Sequence, residues 1–327
     1  MDFPFRVDHE IPLFLAPMAG VSEPPFRLLC REFGADAVVS EFLSSEGLRR
    51  GLKNVHDGAF FTPPERPIGI QLYGADPRGM EEAARLVTEH YEPDFIDINF
   101  GCPVKKVVRR NGGSGCLKDL DLVQRIIRSV RKATHLPTTV KIRSGWDESL
   151  RDPVEIALRC QESGAAVLTL HPRTRAQMYS GAARWDEIAA VVEALEIPVV
   201  GNGDIKSGDD AALMLRQTGC AGIMIARGSF GNPWIFRQVR ERLSGRPQSP
   251  IPDAEQRFAV ALRHAKLHRE IKGNDRRSAL EFRKHLGWYT RGLAGSAALR
   301  AQLHSIESMD EIESIFHGYL EQQAVPL

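Results

Sequence analysis

The stretch FIDINFGCPVKKVVRRNGGSGCL, residues 95–117, joins a strand-like run to a thiol, four cations and a cluster of glycines. The run Phe95–Asn99 is short and mainly apolar, which is typical of a parallel strand covered on both faces. It ends in a polar residue, and Cys102 follows within three positions. We therefore predict a buried strand whose carboxyl end presents a thiol.

Seven other runs of similar character recur along the chain, and most of them precede a segment with helical periodicity. The eight predicted strands are Leu13–Ala16, Ala37–Val39, Ile68–Leu72, Phe95–Asn99, Thr138–Ile142, Val167–His171, Val199–Asn202 and Gly222–Ala226. Because parallel strands need helical crossovers, eight strand–helix units predict an α/β fold, a (β/α)8 TIM barrel. An open Rossmann-like sheet is the alternative, but no GxGxxG motif follows an early strand.

The barrel pattern ends before a proline-rich segment. We predict a barrel domain over residues 1–243, a linker over 244–252 and a small all-helical domain over 253–327, because no strand signal follows the linker. Within that domain, residues 257–300 carry eleven Lys or Arg against three acids. Such a charge bias indicates either a solvated helical face or a surface for phosphate groups.

Composition and spacing argue against several classes of protein. The formal net charge is only +1, so a polyanion must bind to a local patch. The five cysteines lack CxxC spacing, and so neither a disulfide framework nor a thiolate metal site is expected. His264 and His268 have no acidic third ligand nearby in the sequence, so we assign them to the basic face and expect no metal. Without a signal-peptide pattern or a long apolar run, a cytoplasmic protein with no membrane contact is expected.

The predicted strands end in a ring of polar or conformationally special residues. These ends are Pro17–Met18, Ser40–Glu41, Gln71, Asn99, Lys141, His171, Asn202–Asp204 and Ala226–Gly228. Active sites of TIM barrels gather at this end. Gln71 offers a donor and an acceptor for a pyrimidine edge, Lys141 offers positive charge, and the turn at Arg227 can hold a phosphate. We interpret the ring as a site for a flavin mononucleotide (FMN).

Cys102 is the candidate acid of this ring. A free thiol has a pKa of about 8.5 and can donate a proton at neutral pH. Cys116 is the competitor, but it lies in a loop that runs into a helix. Cys30, Cys160 and Cys220 lie in helix-like contexts, and we interpret them as small buried apolar residues.

Five motifs occur in order and resemble those of the tRNA-dihydrouridine synthases, most closely the bacterial B-type branch. They are APMAG at 16–20, DINFGCPVKK at 97–106, VKIRSGW at 140–146, LHPRTR at 170–175 and GNGDI at 201–205. The resemblance covers the barrel from about residue 11 to 240, and beyond 250 it is one of architecture more than of motif.

The resemblance implies an FMN enzyme that uses NADPH to reduce the C5=C6 bond of particular uridines in tRNA, in the D-loop, with Cys102 protonating C5. The implied cofactor contacts are Pro17, Met18, Ala19, Gln71, Asn99, Lys141, His171, Asn202, Gly203, Asp204, Ala226 and Arg227. The candidate tRNA contacts are Lys105, Lys106, Arg109, Arg110, Arg143, Arg173, Arg175, Arg276, Arg277, Arg283 and Lys284. The partners expected are tRNA and NADPH, and the chain is expected to be a monomer. The family tends to have GSAL where this chain has Gly115–Cys116–Leu117, so a role for the second thiol stays open.

Three other functions share parts of this pattern. A flavin-dependent reductase of a free pyrimidine would use the same ring without needing a basic helical domain. An RNA-binding protein would use the basic patch and carry no flavin. An aldolase would use Lys141 to form a Schiff base.

Overall fold

The computed structural model describes residues 2–273 and 276–324. The last three residues of the predicted helical domain therefore lie outside the described part of the chain.

Eight parallel strands close into a barrel. The strands of the sheet are β1 (Leu13–Leu15), β2 (Ala37–Val39), β3 (Leu43–Ser44), β4 (Ile68–Tyr73), β5 (Phe95–Phe100), β6 (Thr138–Arg143), β7 (Val167–His171), β8 (Val199–Asn202) and β9 (Gly222–Ile225). Closure comes from the pairing of β1 with both β2 and β9 and from the pairing of β2 with β4, while the two-residue β3 only adds to β4. The predicted TIM barrel is confirmed, and the eight predicted runs match its strands to within one residue at each end.

Helices surround the barrel and continue beyond it. They are α1 (Pro24–Glu32), α2 (Ser45–Arg49), α3 (Lys53–Asp57), α4 (Pro77–Tyr91), α5 (Lys105–Val108), α6 (Leu120–Ala133), α7 (Pro153–Glu162), α8 (Trp185–Ala194), α9 (Gly208–Thr218), α10 (Ile235–Leu243), α11 (Ala254–Lys272), α12 (Arg276–Tyr289), α13 (Ser296–Ser305) and α14 (Glu311–Ala324). Side-chain caps define several starts, as at α4, where the Asp76 carboxylate accepts from the N–H groups of Arg78 and Gly79.

The register of the strands divides the barrel interior into an apolar and a polar part. Phe95, Asp97 and Asn99 occupy alternate positions of β5 and so share one face of the strand. At the amino end, Phe95 stacks on Phe5 with ring centroids 4.4 Å apart, within a cluster that includes Phe14. On β5 the apolar side chain therefore lies at the amino end, and the polar side chains of Asp97 and Asn99 follow towards the carboxyl end.

The last four helices, α11–α14, enclose a second hydrophobic core. Phe258 of α11 stacks on Phe316 of α14 at 4.0 Å. The Asp253 side chain caps α11 and forms a capping box with Gln256. This core also includes Trp234, which immediately precedes α10, so the helical domain packs directly on the barrel.

Among the residues described, no helix is both long and apolar enough to cross a membrane.

Candidate active site

A network of polar side chains from β4, β5 and β6 lies inside the barrel. Gln71 Nε2 donates to Asp97 Oδ2 at 2.6 Å, and Gln71 Oε1 accepts from Asn99 Nδ2 at 2.7 Å. Thr139 Oγ1 donates to the other oxygen of Asp97 at 2.5 Å. All four side chains are buried, and these bonds fix the orientation of the Gln71 amide. That amide has a second N–H and a second lone pair to offer to a ligand.

The backbone of Cys102 is held from both sides. Asn99 Oδ1 accepts hydrogen bonds from the N–H of Gly101 at 3.0 Å and from the N–H of Cys102 at 2.8 Å. The Cys102 carbonyl accepts from the N–H of Ser114 at 3.1 Å and from its hydroxyl at 2.8 Å. The thiol is therefore attached to a fixed point just past the end of β5.

The Cys102 side chain is nearly buried, with 7% of its surface exposed. Burial raises the pKa of its thiol, and this outweighs the opposing influences of the Val104 backbone and the Arg143 charge. A thiol with a raised pKa stays protonated at neutral pH. Cys102 is therefore suited to donate a proton rather than to act as a thiolate.

Lys141 of β6 and His171 of β7 meet at Asn202, the last residue of β8. Lys141 Nζ donates to Asn202 Oδ1 at 3.0 Å, and His171 Nδ1 lies 3.3 Å from the Asn202 carbonyl oxygen. Because that oxygen can only accept, Nδ1 carries the proton and Nε2 has a lone pair. His171 Nε2 is buried and has no hydrogen-bond partner among the residues described.

Both of these side chains have lowered pKa values. Burial, helped by the charge of Arg143, lowers the pKa of Lys141 to about 7. Burial and the neighbouring Lys141 charge lower the pKa of His171 well below its ordinary value. At neutral pH His171 is therefore a neutral acceptor, and the charge of Lys141 depends on what binds beside it.

Asp204 gathers two guanidinium groups just past β8. Arg173 donates to both carboxylate oxygens, at 3.0 and 2.7 Å, and Arg227 Nη2 lies 3.5 Å from Oδ1. Burial raises the pKa of Asp204, but hydrogen bonds from Arg173 and the Ala183 backbone outweigh it and leave the pKa lowered. Arg227 also stacks over the exposed ring of Tyr179 at 4.4 Å. The exposed Arg227 side chain is thus held between Asp204 and Tyr179.

The other predicted cofactor residues lie on loops that follow β1, β8 and β9. The N–H of Met18 donates to Ser22 Oγ at 2.8 Å, which holds the loop after β1. Gly203 has φ 133°, and a Cβ there would lie 3.1 Å from His171 Nδ1. Only glycine therefore permits the close approach of these two strand ends. Four of these loop residues remain at least partly accessible, namely Pro17, Met18, Ala19 and Ala226.

The four predicted tRNA contacts on and directly after α5, here called the α5 cations, are exposed, whereas two other predicted contacts are buried. Lys105, Lys106, Arg109 and Arg110 are all exposed. In contrast, Arg143 and Arg173 are each no more than 3% exposed. Arg143 donates to the carbonyls of Gly101, Thr174 and Met178. These two guanidinium groups tie the loop after β7 to the neighbouring strand ends, so we withdraw Arg143 and Arg173 as phosphate contacts.

Arg175 takes an intermediate position among the predicted contacts. Its guanidinium lies 4.6 Å from the centroid of the Trp146 ring, and Lys118 lies 4.7 Å from the same ring. Arg175 is half-buried and keeps part of its surface accessible. It remains a candidate at the edge of the site.

The basic residues of α12 have partners inside the helical domain. Arg276 pairs with Glu307 at 3.0 Å and Arg277 with Glu281 at 3.0 Å. Arg283 donates to the carbonyl of Ile306. Lys284 instead approaches the loop after β1, with its Nζ 3.1 Å from where a Cβ of Gly20 would lie. Much of the positive charge counted in this part of the sequence is thus offset locally.

Comparison with known proteins identifies the family. A sequence profile described as Dihydrouridine synthase (Dus) matches residues 14–324. This chain belongs to the dihydrouridine synthase family. The predicted membership is confirmed, and with it the predicted enzyme class, a flavin-dependent oxidoreductase.

Individual relatives agree with this assignment. The chain is 38% identical over 321 residues to tRNA-dihydrouridine synthase B of Pseudomonas aeruginosa, covering 95% of this chain and 93% of the relative. It is 40% identical over 314 residues to the protein of that name in Xanthomonas axonopodis pv. citri, covering 94% and 92%. It is 38% identical over 297 residues to probable tRNA-dihydrouridine synthase 1 of Synechocystis, covering 90% and 82%. The predicted likeness to the B-type branch is therefore confirmed.

A solved structure agrees with the fold. Histamine dehydrogenase from Rhizobium sp. 4-9 superposes with a TM-score of 0.52 at 14% identity. The match covers 81% of this chain but about half, 51%, of that chain. At this identity the likeness supports the barrel fold alone.

The second thiol of this dihydrouridine synthase family member lies in the core. Cys116 is fully buried, and its Sγ donates to the Asn111 carbonyl at 2.9 Å. Burial raises the pKa of Cys116 to about 12. Cys116 therefore has no exposed surface from which to reach a substrate, whereas Cys102 keeps a small exposed part.

Several residues of the site were not singled out from the sequence. Asp97 and Thr139 orient Gln71, Ser114 holds the Cys102 carbonyl, and Tyr179 stacks on Arg227. The sequence does indicate that Asp97 belongs to the site, because it lies two positions before Asn99 and so shares the same face of β5. Ser114 lies in a short 3-10 helix and Tyr179 in a turn, and neither segment has a sequence periodicity that predicts the direction of a side chain.

Proposed function

We propose that this protein reduces the C5=C6 bond of uridines in tRNA, with FMN as its cofactor and NADPH as the reductant. The main support is the environment of Cys102. Burial keeps its thiol protonated at the strand end, next to the ring of Gln71, Lys141 and His171. The names of the relatives, which specify tRNA, support tRNA as the substrate. Family membership favours this reaction over a Schiff-base aldolase and over RNA binding without catalysis.

The donor set suits a flavin. The unpartnered Nε2 of His171, the second N–H and lone pair of Gln71, and the cation of Lys141 offer separate contacts to a polar planar group. The turn that begins at Arg227 offers backbone N–H groups, and the exposed guanidinium beside it suits a phosphate. We infer that these residues, with Asn99 and the loops at 17–19 and 202–204, hold FMN. When bound, this cofactor supplies the hydride that C6 of the uracil ring receives.

Cys102 supplies the other half of the reduction. Its Sγ holds a proton that passes to C5, so that the ring gains a hydride and a proton and loses one double bond. The resulting thiolate regains a proton from solvent. Hydrogen bonds with Asn99 and Ser114 fix the Cys102 backbone and so restrict the position of its sulfur. Such positioning can lower an activation barrier by several kcal/mol.

The α5 cations are proposed to bind the tRNA backbone. Lys105, Lys106, Arg109 and Arg110 follow Cys102 within eight positions of the sequence, so phosphate groups bound there lie close to the acid. A uridine must leave its stack to reach Cys102, at a cost of a few kcal/mol. Charge neutralisation at the phosphates offsets that cost. Arg175 and the α12 residues Arg276, Arg277, Arg283 and Lys284 extend the proposed surface.

We also propose a monomeric, cytoplasmic protein that takes its electrons from NADPH. The free and buried state of all five cysteines accords with a reducing compartment. The choice of uridine, which we propose lies in the D-loop, depends on how the helical domain orients the RNA.

The experiment compares an unmodified tRNA transcript with free uridine, using full-length flavin-loaded protein and NADPH. We expect dihydrouridine in the tRNA and no turnover of the free nucleoside. Equal turnover of a free pyrimidine would support the small-molecule reductase instead. Protein that purifies without flavin and binds tRNA without NADPH oxidation would support a binding protein.

A further inference from the structure

A buried cluster of one carboxylate and three imidazoles lies between the barrel and the helical domain. Glu23 precedes α1 of the barrel, His264 and His268 lie on α11, and His285 lies on α12. The three histidines are fully buried and Glu23 is nearly so. This placement corrects the sequence-based assignment of His264 and His268 to a solvated basic face.

The polar atoms of the cluster face one another at close distances. Glu23 Oε1 lies 3.2 Å from His268 Nδ1 and 3.4 Å from His285 Nε2. One ligand atom from each of Glu23, His264 and His285 falls within a mutual distance of 4.8 Å. Glu23 Oε1, His264 Nε2 and both ring nitrogens of His285 are buried and have no hydrogen-bond partner among the residues described. Leaving such groups unsatisfied is costly, so the arrangement calls for something that satisfies them.

Tyr289 orients one of the imidazoles towards the centre of the cluster. Its hydroxyl lies 3.2 Å from His264 Nδ1, which leaves Nε2 as the atom that points at Glu23 and His285. The rings of His264 and His285 pack edge to face, with centroids 4.6 Å apart. A histidine that binds a metal is commonly held in this way through its other ring nitrogen.

The donor types of the cluster also suit a cation. His264 and His285 offer imidazole nitrogens, and Glu23 offers a carboxylate oxygen. Lys284 adds nearby positive charge, and the carboxyl of Glu41 lies close enough to interact with both Glu23 and Lys284. Neutral imidazoles and one carboxylate are the donors that zinc takes.

We propose that Glu23, His264 and His285 bind a divalent transition metal ion of the zinc class, with His268 beside the same carboxylate as a fourth candidate ligand. The ion joins the segment after β1, which carries Met18, to α11 and α12. Its role is structural, since it fixes the helical domain to the mouth of the barrel. This site is separate from the proposed catalytic reaction and does not depend on it.

The first test measures metal binding by full-length wild-type protein. The protein is stripped with a chelator, dialysed and titrated with Zn²⁺ by calorimetry, with thermal unfolding followed by circular dichroism. We expect one equivalent to bind and the unfolding temperature to rise by several degrees, because a ligand of the folded state stabilises it. Binding of no zinc, or binding without any rise in unfolding temperature, would overturn the proposal.

The second test locates the ion with matched variants. Glu23→Gln, His264→Asn and His285→Asn are each expected to lose zinc affinity by at least ~100-fold, and Tyr289→Phe by ~10–100-fold through loss of ligand orientation. His304→Asn, an exposed histidine of the same domain, is the control and is expected to bind like wild type. If a ligand variant fails to fold, Tyr289→Phe and the wild-type titration still decide the matter. Unchanged affinity in the folded ligand variants would assign the zinc to surface histidines and refute the site.

Discussion

Asn99 accepts a hydrogen bond from the backbone N–H of Cys102 at 2.8 Å through its side-chain oxygen. The nitrogen of the same amide donates to Gln71. One side chain thus links the proposed proton donor to the residue that faces the proposed cofactor. The end of β5 can therefore set the distance between the Cys102 thiol and a cofactor that contacts Gln71.

Replacement of Cys102 by Ala is expected to lower dihydrouridine formation by ~10²–10⁴-fold, the range typical of a lost general acid. Flavin content and reduction of the flavin by NADPH are expected to stay at wild-type levels. Cys116→Ala is the matched control, and its activity should remain close to wild type. Dihydrouridine is measured in tRNA by mass spectrometry, and full activity of Cys102→Ala would exclude it as the acid.

Asn99→Ala is expected to act through Cys102 as well as through Gln71. The change leaves the N–H groups of Gly101 and Cys102 without their acceptor, a loss of ~1–3 kcal/mol for a buried group. We therefore expect a lower kcat in the single variant and a smaller further loss, limited to the effect through Gln71, when Asn99→Ala is added to Cys102→Ala. Fully multiplicative effects on kcat in the double variant would show that the two residues act independently.

The affinity for FMN is expected to fall as the pH rises above 7. Lys141 has a pKa of about 7 in the free protein, and a ligand that carries negative charge raises that pKa on binding. Below pH 7 Lys141 is charged in both states and the affinity is constant. Above it, binding requires uptake of a proton, so the affinity falls by up to ~tenfold per pH unit until the pKa of the complex is reached.

Lys141→Met should bind FMN more weakly and should flatten this pH dependence. Calorimetric titration of flavin-free protein at several pH values measures both effects. A pH profile of the variant that parallels wild type would place the titrating group elsewhere.

Neutralising the α5 cations is expected to weaken tRNA binding with little effect on the flavin. For each phosphate group that a variant no longer neutralises, the slope of log affinity against log salt should become shallower by ~0.7–0.9. Lys105→Gln, Lys106→Gln, Arg109→Gln and Arg110→Gln are compared with Arg216→Gln, an exposed residue in the last turn of α9. Filter binding over a salt series gives the slopes, and a slope unchanged in all four α5 variants would remove α5 from the RNA surface.

A buried ion pair is expected to dominate the stability of the loop after β1. Arg27 donates to Glu65 at 2.6 Å with both side chains buried, and it also donates to the Ser22 carbonyl. Arg27→Met leaves a buried carboxylate without its partner and should lower the free energy of unfolding by ~3–5 kcal/mol. Arg78→Met, in an exposed pair with Glu82, should change it little. Urea denaturation measures both, and equal effects would contradict the role of burial.

The sequence by itself determined the barrel, the polar ring and the family. Short apolar runs that alternate with helical segments favour parallel strands covered on both faces, and in a barrel the carboxyl ends of such strands meet at one face. Gln71, Asn99, Lys141 and His171 could therefore be assigned to one site before any distance was known.

Only the tertiary structure decided which cations face solvent and which histidines share a cavity. Arg143 and Lys105 are both cations near a strand end, and the sequence does not show which of them faces solvent. In the structure the Arg143 guanidinium is enclosed by three backbone carbonyls, whereas Lys105 is exposed. Glu23 and His285 lie far apart along the chain and meet because α1 packs against α11, which in turn packs against α12. Local periodicity reports which face of an element is buried, but the identity of the neighbour across an interface depends on how distant elements pack.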